Sequence, residues 1–172
     1  MEGIDIEIDK LTNSIENVIS GETFATLILP LKKGEKGFLS NKWVFDWIKE
    51  LNYSERNIYK LVTEENIKII HGLISLEDKH DHIYMHLVES SFFNKGSEKL
   101  YAGVAGNLVA FACKKSLELG YDGVVSFVSK TKLINHYEKT LGAKQFRGNQ
   151  MFIDTPEAIK LIKRYFKDEN KD

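Results

Sequence analysis

The sequence predicts a single α/β domain of the α+β kind: a mixed, mainly antiparallel sheet with helices on both faces. Three observations carry this. Apolar runs at Ile58–Val62, Ile67–Leu76 and Ile83–Glu89 follow one another across short polar turns, as antiparallel strands in series do. A small-residue loop, Ala102-Gly103-Val104-Ala105-Gly106, then enters an apolar stretch of helix length that stops at Gly120. Beyond it Gly123–Val128 is almost continuously apolar, the pattern of a strand buried on both faces. One helical crossover makes that strand parallel to Ile83–Glu89.

The remaining elements follow from local signals. Ile4, Ile6 and Ile8 alternate with acidic residues, as a half-buried strand would. Ile15–Ile19 and Phe24–Leu29 flank Ser20-Gly21-Glu22 and read as a hairpin. Lys32–Gly37 is a basic, glycine-punctuated loop. Ser40 caps an expected helix through Leu51, where Trp43 and Trp47 serve either as a core anchor or as a wall of an acceptor pocket. The polar stretch Ser90–Glu98 joins the third strand to the small-residue loop. A helix over Lys132–Leu141 closes at Gly142. Gln145–Phe146 and Met151–Ile153 form a hairpin around Arg147-Gly148-Asn149. Thr155-Pro156 opens a last helix with Ala158, Leu161, Ile162, Tyr165 and Phe166 on one face, and Asp168–Asp172 is a charged tail. With no repeat or linker, residues 1–172 make one domain. Its parts are an N-terminal portion (1–56), a core (57–154), a helix (155–167) and the tail (168–172).

Composition narrows the function. Lys and Arg number 24 against 25 Asp and Glu, so no polybasic surface calls for nucleic acid, although Lys32, Lys33 and Lys36 form a local basic stretch. The lone cysteine, Cys113, excludes an internal disulfide and fits a reducing, cytoplasmic setting. No apolar run is long enough to span a bilayer, so no membrane partner is expected. Apolar edge strands leave a homodimer open. His80-Asp81-His82 has no third ligand at useful spacing, so no metal is expected.

The small-residue loop is the feature with chemical content. A helix start leaves about four backbone N–H groups unpaired and carries partial positive charge. Small residues before it let an anionic group settle on those amides. Downstream, Asn135-His136-Tyr137-Glu138-Lys139 precedes Leu141-Gly142-Ala143.

In this order and spacing the chain resembles the GNAT superfamily of N-acetyltransferases over about Ile58–Ile153. The family's cradle is Arg/Gln-x-x-Gly-x-Gly/Ala, and here it reads Leu100-Tyr101-Ala102-Gly103-Val104-Ala105, with Lys99 beside Leu100. The later signature, Tyr-Glu-Lys-Leu-Gly-Phe, is matched by Tyr137-Glu138-Lys139-Thr140-Leu141-Gly142-Ala143, with one extra residue. The resemblance implies a parallel strand pair splayed around a coenzyme cleft, acetyl-coenzyme A as co-substrate and an amine-bearing acceptor. It implies that amides of Gly103, Val104, Ala105, Gly106, Asn107 and Leu108 hold the diphosphate. The pantetheine arm would pair near Leu87, Val88 and Ser90, with Asn135 assisting, and Tyr137 would act as general acid. Glu89, at the strand end, is the best carboxylate for a base, and His86 the runner-up. His136, adjoining Tyr137, is expected at the surface. Leu100 and the long Ser90–Glu98 loop motivate an alternative, a non-catalytic acyl-coenzyme A sensor or interaction module on the same scaffold.

Overall fold

A computed structural model describes residues 3–10, 14–39 and 42–166. The expected cap at Ser40, the Lys36 side chain and the tail at Asp168–Asp172 lie outside what is described. Nine strands form one sheet in the order β6-β1-β2-β3-β4-β5-β7-β9-β8. They are β1 (Ser14–Asn17), β2 (Thr23–Pro30), β3 (Arg56–Thr63), β4 (Gly72–Asp78) and β5 (Ile83–Ser90), then β6 (Tyr101–Ala102), β7 (Val125–Val128), β8 (Lys144–Arg147) and β9 (Gln150–Ile153). The helices are α1 (Trp47–Leu51), α2 (Val104–Glu118), α3 (Ile134–Leu141) and α4 (Thr155–Tyr165). All neighbours pair antiparallel except β5 and β7, the expected parallel couple.

Alternation along the strands divides the apolar residues between two faces. Ile74, Leu61, Met85 and Val88 join α2, α3 and α4 in the larger core, with Leu108 and Cys113 fully enclosed. Leu73, Ile58 and Leu87 face the other way and bury Trp47 and Leu51 of α1. Trp47 is a core anchor, 2% exposed, with Trp43 edge-on at 6.5 Å.

Several boundaries differ from the sequence pattern, each for a local reason. Asp46, not Ser40, caps α1: its carboxylate accepts from the Lys49 N–H at 3.0 Å, and the helix is only five residues long. Ile67–His71 stays outside β4, with Ile67 and Ile69 exposed. The basic loop contains a 3-10 turn at Lys33–Phe38. Asp154 rather than Thr155 caps α4. The two-residue strand β6, which has no periodicity to read, ties the small-residue loop to β1. The largest departure is the N-terminus. Ile4, Ile6 and Ile8 do not form a ladder strand; Ile4 makes one isolated parallel bridge to Ser129, and the segment runs on beside α3 to α2.

Candidate active site

The site begins at an irregularity in β5. Ser75 pairs with Leu87 and Leu76 with Met85, so His86 is an extra residue that bends the strand. Pairing with β7 covers only Ile83–Met85 against Val125–Phe127. Past that point β5 and β7 part, and the gap leads to the start of α2. Gly103 makes that start possible. Its φ of 103° suits glycine alone, and a Cβ would press on the Ser14 carbonyl at 2.8 Å.

The gap is occupied by the chain itself. Residues Ile4–Lys10 lie along it as an extended strap, anchored at every second residue. Ile4 donates to the Val128 carbonyl at 2.6 Å and accepts from the Lys130 N–H at 3.1 Å. The Ile6 N–H donates to the Tyr137 hydroxyl at 3.0 Å, and that hydroxyl donates back to the Ile6 carbonyl at 2.6 Å. Ile8 donates to His136 Nε2 at 2.8 Å, and the Tyr165 hydroxyl donates to the Lys10 carbonyl at 2.6 Å. At the α2 end Asp9 accepts from the Gly103 N–H at 3.0 Å and from Lys99 Nζ at 2.7 Å. An anion therefore rests on the helix start, and the protein supplies it. Gly106 completes the fit, because a Cβ there would collide with the Tyr165 hydroxyl and meet the Lys10 carbonyl at 2.9 Å.

Between strap and β5 remains a cavity of about 660 Å³. Val88 and Ser90 of β5 and Val104 and Ala105 of α2 form its walls, and Lys95, Lys99 and Lys132 stand around it. Val44 and Phe45 close one end, while Asp5, Glu7 and Asp9 line the strap side. The volume falls in the range of small-molecule sites, and each border lysine is paired with a carboxylate, Lys95 with Glu89, Lys99 with Asp9 and Lys132 with Asp5.

The residues singled out from sequence separate here. Glu89 lines the cavity but is 3% exposed and takes four hydrogen bonds. They come from the Val44 N–H at 2.7 Å, the Phe45 N–H at 3.1 Å, Trp47 Nε1 at 2.8 Å and Lys95 Nζ at 2.7 Å. These take up a carboxylate's acceptor capacity, which gives Glu89 the place of an anchor rather than of a base. The side chain of Leu87 packs on Trp47, away from the cavity. Asn107 is buried, donating to the Gly103 and Ser14 carbonyls, and its own N–H closes the first turn of α2 on Gly103. That amide is therefore not offered to a ligand. Leu108 is a core residue and Asn135 is exposed, neither on the cavity wall.

Tyr137 is 1% exposed, edge-on to Phe127 at 5.5 Å, and burial raises its pKa above the ordinary tyrosine value. His136, expected at the surface, is instead a strap anchor. His86 is half-buried on Glu77 at 2.7 Å, and burial lowers its pKa against the pull of that carboxylate. Among the described residues no cluster of three or more His, Cys, Asp or Glu side chains suits a metal, and no helix is long and apolar enough to cross a membrane. Sequence reasoning missed the strap and its charged contacts. The only signal was the isoleucine alternation, which marks an extended segment without saying what it pairs with.

No protein-family model matches the chain, and no curated protein matches it. Solved structures do. A protein of the KacTA–DNA complex superposes with a TM-score of 0.52 at 12% identity, covering 84% of this chain and 99% of that one. A variant of spermidine N-acetyltransferase SpeG from Vibrio cholerae gives 0.52 at 12% identity, covering 78% and 96%. A probable acetyltransferase of the GNAT family from Chromobacterium violaceum gives 0.50 at 16% identity, covering 86% and 87%. At these identities the likeness is one of fold. The mixed sheet with a single parallel, parting strand pair and helices on both faces is the GNAT fold.

Proposed function

We propose that this chain is an N-acetyltransferase that moves an acetyl group from acetyl-coenzyme A to a primary amine by direct attack. One observation carries the reading. Where β5 and β7 part, the start of α2 already holds an anion, with the Gly103 amide and the Lys99 ammonium on the Asp9 carboxylate. That donor set suits a diphosphate equally well, since both are oxyanions seeking an amide and a cation. The coenzyme would supply the thioester-bound acetyl group.

The chain's own residues divide the work. Lys99 and the α2 start hold the diphosphate, with Lys95 and Lys132 adding charge at the cavity border. Main-chain groups of Val88 and Ser90, on the β5 edge that β7 has left, pair with the amide arm. Tyr137 is the proton donor, protonated at neutral pH as a tyrosine ordinarily is, with burial raising its pKa further. Glu89 positions rather than reacts, holding Val44 and Phe45 at the acceptor end of the cavity. The acceptor is a neutral amine entering there.

The test is a donor-dependent thiol-release screen over small amines, amino acids and peptide N-termini, with Tyr137→Phe as the paired variant. Turnover falling by about 10²-fold or more in the variant, with coenzyme affinity retained, supports the assignment. Absence of coenzyme binding at millimolar concentration overturns it. A second reading, a non-catalytic acyl-coenzyme A sensor, draws on the Tyr137 hydroxyl being held in both directions by Ile6. It requires binding without turnover, and no loss of binding in Tyr137→Phe.

A further inference from the structure

We infer that the strap Ile4–Lys10 is an intramolecular competitor for the coenzyme: the cleft is closed by the chain's own N-terminal segment, and the donor binds by displacing it. This rests on the acetyltransferase reading and adds regulation to the same site.

The contacts coincide residue by residue with those the donor needs. The Tyr137 hydroxyl spends its donor and its acceptor on the Ile6 main chain, leaving none for a sulfur. The Gly103 amide and Lys99, the anion seat, are both taken by Asp9. Lys10 and Tyr165 cover Gly106, the second glycine of the helix start. Between these points the strap offers a run of amides in extended conformation. It closes the edge that the parting of β5 and β7 leaves on the β7 side, through Val128 and Lys130.

The strap is also built so that it can leave. The Asp5 and Glu7 side chains are exposed, and two of its ion pairs, Lys99–Asp9 at 2.7 Å and Lys132–Asp5 at 3.4 Å, lie at the cavity border, with Lys10–Glu16 at 3.2 Å as a third. Lys99 and Lys132 are among the cations an incoming diphosphate would recruit, so the ligand competes for the charges that help hold the strap. Only Ile4 and Ile8 of the segment are buried apolar anchors.

Displacement lowers apparent affinity by the fraction of molecules with the strap released. The experiment titrates coenzyme A into the intact protein and two variants, with amide hydrogen exchange followed at Ile6 and Ile8. Ile6→Pro removes the N–H that Tyr137 accepts without changing charge. Asp9→Ala, at an exposed position, vacates the anion seat without touching the core. Both variants are expected to bind coenzyme A at least about tenfold tighter than the unaltered chain. In the unaltered chain, coenzyme A is expected to abolish protection at the Ile6 and Ile8 amides.

Coenzyme A bound with those amides still protected would make the strap a fixed wall of the cleft; the competitor proposal falls while the acetyltransferase reading stands. A tighter Asp9→Ala with an unchanged Ile6→Pro would reduce the effect to local charge and also overturn the proposal. Failure of all three proteins to bind overturns both readings.

Discussion

Replacing Glu89 by glutamine separates a structural anchor from a proton acceptor. Oε2 accepts from Val44 at 2.7 Å and Lys95 at 2.7 Å, while Oε1 accepts from Phe45 at 3.1 Å and Trp47 Nε1 at 2.8 Å. An amide has a single oxygen, so in either orientation its NH2 faces two donors. Hydrogen bonds to a charged acceptor contribute about 1.5–3 kcal/mol each, and the share of Lys95, which is partly exposed, is discounted for solvent. Two lost bonds and a buried donor–donor opposition therefore cost about 3–5 kcal/mol. In a chain of this size that lowers Tm by roughly 10 °C, read by calorimetry or circular dichroism. Catalysis should fall with stability, and fall alike for all acceptors, because the Val44–Phe45 end of the cavity loosens. A base would behave otherwise. An E89Q protein with Tm within about 2 °C of the parent, yet turning over about a hundredfold more slowly, would refute the anchor assignment.

Three further outcomes follow from buried groups. His71 accepts from Asn94 Nδ2 at 3.1 Å, and burial lowers its pKa to about 4. The unfolded chain protonates it near its ordinary value of about 6.5, so its contribution is complete above that pH, declines as pH falls toward 4, and is gone below. Up to about 3 kcal/mol should vanish across this window in urea titrations, and His71→Gln should flatten the slope. Gly106→Ala drives a methyl into the Tyr165 hydroxyl and the Lys10 carbonyl. It should destabilise by about 1–2 kcal/mol in chemical denaturation, despite the usual helix gain of about 1 kcal/mol for alanine. Cys113 is fully buried and its thiol is pushed up to about 12. Iodoacetamide at pH 8 should label it only after denaturation, as mass spectrometry would show.

What the sequence made legible was whatever a single element encodes by itself. The β3–β4–β5 series, the parallel return at β7, the β8–β9 turn and the glycine stop of α3 all carry their own periodicity or punctuation, and all are present. The small-residue run predicts a loop through Gly106, whereas α2 begins at Val104, since Gly103 alone carries the left-handed turn. Side-chain assignments fared differently. Glu89 at the end of a parting strand reads equally as base or anchor, and the choice is made by Val44, Phe45 and Trp47, more than forty residues away in sequence. His136 and Tyr137 adjoin on α3, yet both anchor the strap through Ile8 and Ile6, about 130 residues distant. Such pairings leave no trace in local pattern. The N-terminal alternation predicts a half-buried strand, yet the segment makes only one isolated bridge, because alternation cannot say whether the partner is a strand or a cleft.

On the proposed reading, a peptide and a coenzyme contend for one gap because the gap makes the same demand of both. Parting two strands strips main-chain groups of partners, and buried polar groups left unpaired are costly. Opening the gap beside a helix start adds an electropositive end. Any occupant must therefore bring a string of amides and finish in an anion. Residues Ile4–Lys10 do this with alternate main-chain bonds and the Asp9 carboxylate, and a pantetheine arm with its diphosphate answers the same demand. Exchange between them trades one set of hydrogen bonds and ion pairs for another. The balance rests on what is not conserved, namely the burial of Ile4 and Ile8 on one side and the extra charge of a diphosphate among Lys95, Lys99 and Lys132 on the other. Salt screens the strap's own Lys99–Asp9 pair as well as the ligand's charge contacts. Coenzyme affinity should therefore weaken with ionic strength less steeply in the intact protein, where one ion pair replaces another, than in Asp9→Ala, where the diphosphate displaces no carboxylate.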